Sequence, residues 1–190
     1  MSRYCIVVTG LPASGKTTMG RIVADHLGIP FIDKDDFLET LFEQRGIGNN
    51  QWRQLMSREA DRHFIAAAQA ETRAVLIAHW RPPGLKAQFG TPTDWLSDHF
   101  EKVIELHCRC PVEIAAQRFA QRDRHPGHVD KARSLDQISE WLCDYNQYLP
   151  LRLQCWTEID TSTQRSNQIL LDELKQMLSC LSISSESKYT

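Results

Sequence analysis

Eight consecutive residues near the N-terminus, Gly10-Leu11-Pro12-Ala13-Ser14-Gly15-Lys16-Thr17, constrain the chain more than any other stretch. They fit the pattern G-x-x-x-x-G-K-[ST] at every position. The apolar run 4–8 before them reads as a β-strand, and apolar residues at 19, 22, 23 and 27 after them have helical spacing. A glycine-rich turn between a strand and a helix lets backbone N–H groups curl round phosphate oxygens at the positive end of the helix dipole. Lys16 can then bridge the β- and γ-phosphates, the Thr17 hydroxyl can ligate Mg²⁺, and Thr18 belongs to the same phosphate-binding turn. The expected ligands are therefore ATP and Mg²⁺.

The rest of the chain alternates short β-rich runs with longer helical ones. Further strands are expected at 31–32, 74–78, 103–108 and 158–160, and helices from about 33 to 45, 50 to 70, 94 to 100, 111 to 122, 134 to 149 and 166 to 178. Asn50 is expected to cap the second of these helices, Pro111 to be the first residue of the fourth, and Ser134 with Gln137 to form a capping box for the fifth. This alternation implies an α/β fold, a P-loop NTPase three-layer sandwich on a five-stranded parallel sheet. A length of 190 residues fits one domain with an inserted flap. The expected division is a single domain over 1–182, with a helical substrate flap at 37–70, an Arg-rich lid at 118–134 and a flexible tail at 183–190.

Charge and composition remove several alternatives. With 22 Lys+Arg against 24 Asp+Glu the formal net charge is −2, which argues against a nucleic-acid backbone or an anionic membrane as the main partner. No apolar run reaches the ~20 residues of a membrane span, and 4–8 is too short for a signal-peptide core, so a cytoplasmic location is expected. The six cysteines read as reduced and mostly buried thiols, and Cys108-Arg109-Cys110 lacks partners at zinc spacing. A GTPase would need Asn-Lys-x-Asp after a later strand, and a motor ATPase a strand ending in Asp-Glu. Strand 74–78 ends instead in His79-Trp80.

Two polar clusters accompany the loop. Asp33, Asp35 and Asp36 follow the second strand, where ligands of open parallel sheets bind. Asp35 can take a proton from an attacking hydroxyl, Asp33 can serve Mg²⁺ or simply close the strand, and Asp36 suits a helix N-terminus. Arg118, Arg122 and Arg124 run from a helix end into His125-Pro126-Gly127-His128. Such arginines can neutralise a transferring phosphoryl group on a closing flap, or pair with the helix dipole on a solvated face.

Together, Gly-Leu-Pro-Ala-Ser-Gly-Lys-Thr-Thr, Ile-Asp-Lys-Asp-Asp-Phe and the arginine cluster resemble the small P-loop kinases. That group includes gluconate and shikimate kinases, chloramphenicol phosphotransferase and zeta-toxin-like proteins. The residues look closer still to the bacterial family of predicted kinases of AAA-type ATPase. The resemblance spans about 2–180. It implies ATP-Mg²⁺-dependent transfer of a γ-phosphoryl to the hydroxyl of a small molecule. It casts Lys16, Asp35, Arg118 and Arg122 as the catalytic set, Arg124 with the nucleotide, and Thr17 and Asp33 at the metal. It also brings the loop from Asp160-Thr161-Ser162 towards the adenine. Arg53, Arg58, His79, Trp80 and Arg81 are candidates for the acceptor pocket, but no gluconate, shikimate or nucleoside-monophosphate pocket is recognisable. Three other readings stay open: an ATP-binding regulator or slow ATPase, a polynucleotide 5′-kinase, and a toxin phosphorylating a nucleotide-sugar. Oligomeric state is not legible.

Overall fold

The computed structural model describes residues 2–83, 90–128 and 133–163, with Ile169, Asp172, Glu173 and Lys175 beyond them. Residues 84–89 and 129–132, most of the expected last helix 166–178 and the tail 183–190 lie outside the described residues.

Five strands, β1 (Tyr4–Gly10), β2 (Phe31–Asp33), β3 (Arg73–Ile77), β4 (Lys102–Arg109) and β5 (Cys155–Asp160), form one sheet in the order β2-β3-β1-β4-β5. Every pairing is parallel. All carboxyl ends therefore meet at one rim. Connections first run to the β2 side of β1 and later to the β4 side, which makes the end of β1 the switch point where ligands bind in such sheets.

Side chains of β1 alternate between two cores. Ile6 and Val8 face α1 (Lys16–Leu27), meeting Met19, Val23 and Leu27, while Cys5 and Val7 face Phe64 and Ala68 of α3 (Asn50–Ala70) and Leu96 of α4 (Asp94–His99). This is the expected sandwich of helices on both faces. Two smaller clusters stand at the rim. Leu38, Leu41 and Phe42 of α2 (Lys34–Arg45) pack on Met56 and Ala60 of α3. Ala115, Ala116 and Phe119 of α5 (Val112–Gln121) pack on Ile138, Leu142 and Tyr145 of α6 (Leu135–Asn146).

Several boundaries differ from the sequence reading. Asn49, not Asn50, caps α3, its side chain accepting from Trp52 N at 2.9 Å. Pro111 is the residue before α5 rather than its first. α6 opens on the expected capping box of Ser134 and Gln137 but ends at Asn146. There Tyr148 N bonds Tyr145 O and Leu149 N bonds Asn146 O, three-residue steps that tighten and close the last turn before Pro150. β5 begins at Cys155 because backbone pairing with β4 needs no apolar alternation, and Trp156 on this edge strand is exposed. In the middle of β4, the fully buried Glu105 carboxylate accepts from Thr9 Oγ1 (2.6 Å), Leu151 N (2.8 Å) and Leu153 N (3.2 Å). It thus fastens the strand-free segment 151–153 beneath the sheet. Among the described residues no helix is long and apolar enough to cross a membrane.

Candidate active site

A glycine has to open the phosphate loop. Gly10 has φ 138°, and a Cβ there would stand 2.6 Å from Ser14 Oγ and 2.7 Å from the Cys108 carbonyl oxygen. Ala13 (φ 64°) and Gly15 (φ 94°) continue the left-handed curl that turns successive N–H groups inward, and Ser14 N closes it on Leu11 O at 3.0 Å. Gly15 lies directly before α1 and Thr17 in its first turn, so the loop ends on the positive pole of that helix. Lys16 folds back over the loop, donating to Gly10 O (3.1 Å) and Leu11 O (2.8 Å). Burial lowers its pKa to about 8, against the opposing pull of Asp33 and Asp35. An arriving phosphate would supply the counter-charge that this ammonium lacks.

Asp33 is buried at the end of β2 and uses both carboxylate oxygens. Oδ1 accepts from Asp35 N at 3.0 Å, capping α2, and Oδ2 accepts from Thr17 Oγ1 at 3.2 Å. The cap thus falls on Asp33, while Asp36 sits in the first turn as expected for a helix N-terminus. Burial first, then the neighbouring Asp35, raises the Asp33 pKa to about 7. Two hard oxygen donors on facing residues, one of them a carboxylate that a cation would hold ionised, suit Mg²⁺, which takes its other ligands from phosphates and water.

Lys16, Thr17, Asp33 and Asp35 line one cavity of about 1470 Å³. One half runs beneath α5. Here Arg118 donates to Thr161 O (2.8 Å) and Ser162 O (2.7 Å), holding the loop after β5, and the Thr161 side chain stands 3.8 Å from a Cβ built on Gly15. Arg118, expected at the transferring phosphoryl, is thus placed at the loop expected to approach adenine. Arg122 ends α5 with its guanidinium 3.9 Å from the Phe119 ring centre and lines the cavity.

The other half runs along α3. Asn50, Arg53, Ser57, Arg58, Asp61 and Arg62 recur at helical spacing and line it, joined by His79 and Arg81 from beyond β3. Arg53, Arg58, His79 and Arg81 are where the sequence placed them. Trp80 is not: it is 1% exposed, its Nε1 donates to Val8 O at 3.0 Å, and it packs edge-on against Phe64. Sequence reading missed Lys34, which sits buried under α3, pairing with Asp61 at 2.7 Å and donating to Ser57 Oγ at 3.1 Å. It also missed the polar face of α3 as a whole. The recurrence of 50, 53, 57, 58, 61 and 62 was the available signal.

Arg124, expected with the nucleotide, has its guanidinium paired with the Asp35 carboxylate and in contact with His128 Nε2 at 3.0 Å. His128 is buried and reaches Glu39 Oε1 at 2.9 Å. Phe42 stacks on His125 (5.4 Å between ring centres) and on Trp52 (5.8 Å), with His128 edge-on. Segment 124–128 is thereby seated on α2.

Comparison with known proteins agrees with this architecture. The family model described as AAA domain (AAA_33) matches residues 5–142. A shikimate kinase from Thermosynechococcus vestitus is 26% identical over 93% of this chain and 90% of its own length. A cytidylate kinase from Methanobrevibacter smithii is 24% identical over 71% of this chain and 72% of its own. The crystal structure of a candidate kinase from Chloroflexus aurantiacus superposes with a TM-score of 0.72 at 22% identity, covering 94% of this chain and 97% of that one. The α/β fold with its five parallel strands is that of the P-loop kinases.

Proposed function

Because the chain belongs to the AAA domain family AAA_33 and is a P-loop kinase, we propose that it moves the γ-phosphoryl of ATP to a hydroxyl of a small organic anion. The observation that carries this reading is a continuous cavity that runs from the phosphate loop, past Asp35, to the arginine face of α3. Lys16 and the loop N–H groups bind the phosphate chain, and Arg122 faces the same space from the lid side. Arg118 acts on the nucleotide through the loop at Thr161 and Ser162. Thr17 and Asp33 would hold Mg²⁺, which would supply charge neutralisation on the phosphate chain. Asp35 accepts the proton of the attacking hydroxyl once Arg124 is drawn away from it.

The acceptor half favours a negative group. Lys34 and Asp61 pair with each other there, and Arg53, Arg58, Arg62 and Arg81 line the same volume. A carboxylate or phosphate on the acceptor would be held there by forked, charge-assisted hydrogen bonds. Shikimate kinase and cytidylate kinase, the named relatives, are in keeping with such a substrate. The test is a screen of small-molecule pools with γ-labelled ATP. Asp35→Asn should reduce transfer at least a hundredfold while leaving ATP affinity within a few-fold, as measured by labelled-product formation and nucleotide titration. Turnover in that variant comparable to the unmodified protein would refute the role of Asp35. ATP hydrolysis that no compound accelerates would favour the ATPase reading instead.

A further inference from the structure

Arg122 and Arg124 part company at the end of α5. Arg122 stays on that helix, over the Phe119 ring, whereas Arg124 crosses to α2. Two rungs join its segment there. Asp35 and Glu39 stand one turn apart on α2, and Arg124 and His128 are spaced by four in 124–128. The pairs meet as Arg124 with Asp35 and His128 with Glu39, the second at 2.9 Å. Phe42, further along α2, stacks on His125. The arginine is therefore carried from α5 but seated by α2.

The first rung falls on the carboxylate assigned to the reaction. Arg124 Nη2 donates to Asp35 Oδ2, and both residues line the cavity. Hydrolysis at this site would need a water whose oxygen bonds the γ-phosphorus while Asp35 takes its proton and the β–γ bridging oxygen leaves with ADP. A water that approaches Oδ2 meets guanidinium N–H donors in place of a proton acceptor. The Asp35 side chain is 48% exposed and that of Arg124 20%, so the pair is of the weakly held kind that an arriving anion can exchange.

We propose that Arg124 sets the specificity of the reaction against water: it withholds Asp35 until the anionic group of the acceptor takes the carboxylate's place on the guanidinium. This rests on the kinase reading above. It adds the means by which bound ATP is kept for the acceptor, since the compound that is to be phosphorylated releases the base it needs.

The test follows γ-labelled ATP with no acceptor present, and then with the anionic fraction of a small-molecule cell extract. It compares the unmodified protein, Arg124→Met, Asp35→Asn and the double variant. Without acceptor, Arg124→Met should release labelled phosphate about fivefold faster or more, and adding Asp35→Asn should remove that gain. For the extract compound that gains label, Arg124→Met should raise the acceptor KM about tenfold. An arginine that only neutralised the transferring phosphoryl group would give slower hydrolysis on removal; that result, or an unchanged rate, overturns the proposal. So does a gain that survives in the double variant, or an unchanged acceptor KM. Should Arg124→Met fold poorly, Asp35→Asn alone decides: it should cut transfer at least about tenfold more than it cuts hydrolysis, and equal cuts overturn the proposal. Labelled extract compounds keep the kinase reading intact through each of these failures, whereas label that the unmodified protein passes only to water overturns both.

Discussion

Asp33 divides one carboxylate between two tasks, capping α2 with Oδ1 and receiving the Thr17 hydroxyl with Oδ2. In the absence of a cation the arrangement is costly. Its folded pKa stands near 7 against an ordinary value of 3.8, so the ionised form is the disfavoured one, and stability declines as pH rises from about 4 through 7. Asn can keep the cap and the Thr17 contact without the charge. Asp33→Asn should therefore raise the unfolding free energy at pH 8 in Mg²⁺-free buffer, by about 1–3 kcal/mol in urea titration. The same variant should bind Mg·ATP less tightly. A stability gain joined to a functional loss is the signature of a strained functional residue, and a loss of both would refute this account. From sequence alone Asp33 could be placed at the loop but not resolved between metal and strand end, because its second task depends on where Thr17 faces.

At the scale of elements, the legible parts were those fixed by local chemistry. The phosphate loop and the Ser134–Gln137 capping box each carry their own backbone instructions. Less legible were features that tertiary contact decides: the early end of α6, the start of edge strand β5, and the seat of segment 124–128 on α2. That seat shows why. Gly127 lies so close to Phe42 that an added Cβ would come within 2.3 Å of its ring, a contact no pattern in 124–128 announces. Gly127→Ala should lift this segment from Phe42, speeding proteolysis and amide exchange over 124–128 while leaving the melting of the sheet nearly unchanged. Arg124 should then hold Asp35 less firmly. Equal protection in the variant would mean that the arginine and His128 contacts, not the aromatic seat, fix the segment.

For the molecule as a whole, acid is the expected weakness. His79, His107 and His128 all have pKa values lowered, by burial first in every case. In the unfolded chain each titrates near 6.5, so between that value and the folded one the unfolded state binds more protons. The contribution of these three histidines to the unfolding free energy should be level between pH 7 and 8 and fall as pH drops below 6.5, opposed in Mg²⁺-free buffer by that of Asp33. His79, with a folded value of about 3, should account for roughly 1–2 kcal/mol of the loss by pH 5. Denaturant melts at pH 5 and 8 should show a smaller difference in His79→Phe than in the unmodified protein; an identical difference would place the titration elsewhere. The sheet and its two-sided helical cover were readable from alternation and length. The polar face of α3 was harder to see, because a helix that polar looks like solvated surface until another wall stands opposite it.

The strand order β2-β3-β1-β4-β5 has a consequence for inheritance. On the proposed function the nucleotide would be handled from β1 and the β4–β5 side, through the phosphate loop, Arg118 and the loop at Thr161. On the proposed function the acceptor would be met from the β2–β3 side, through α2 and α3. Mutation can thus rewrite one vocabulary while the other is conserved, with β1 as the hinge of the grammar. Descendants of such a chain could diverge in what they phosphorylate long before they diverge in what they phosphorylate with.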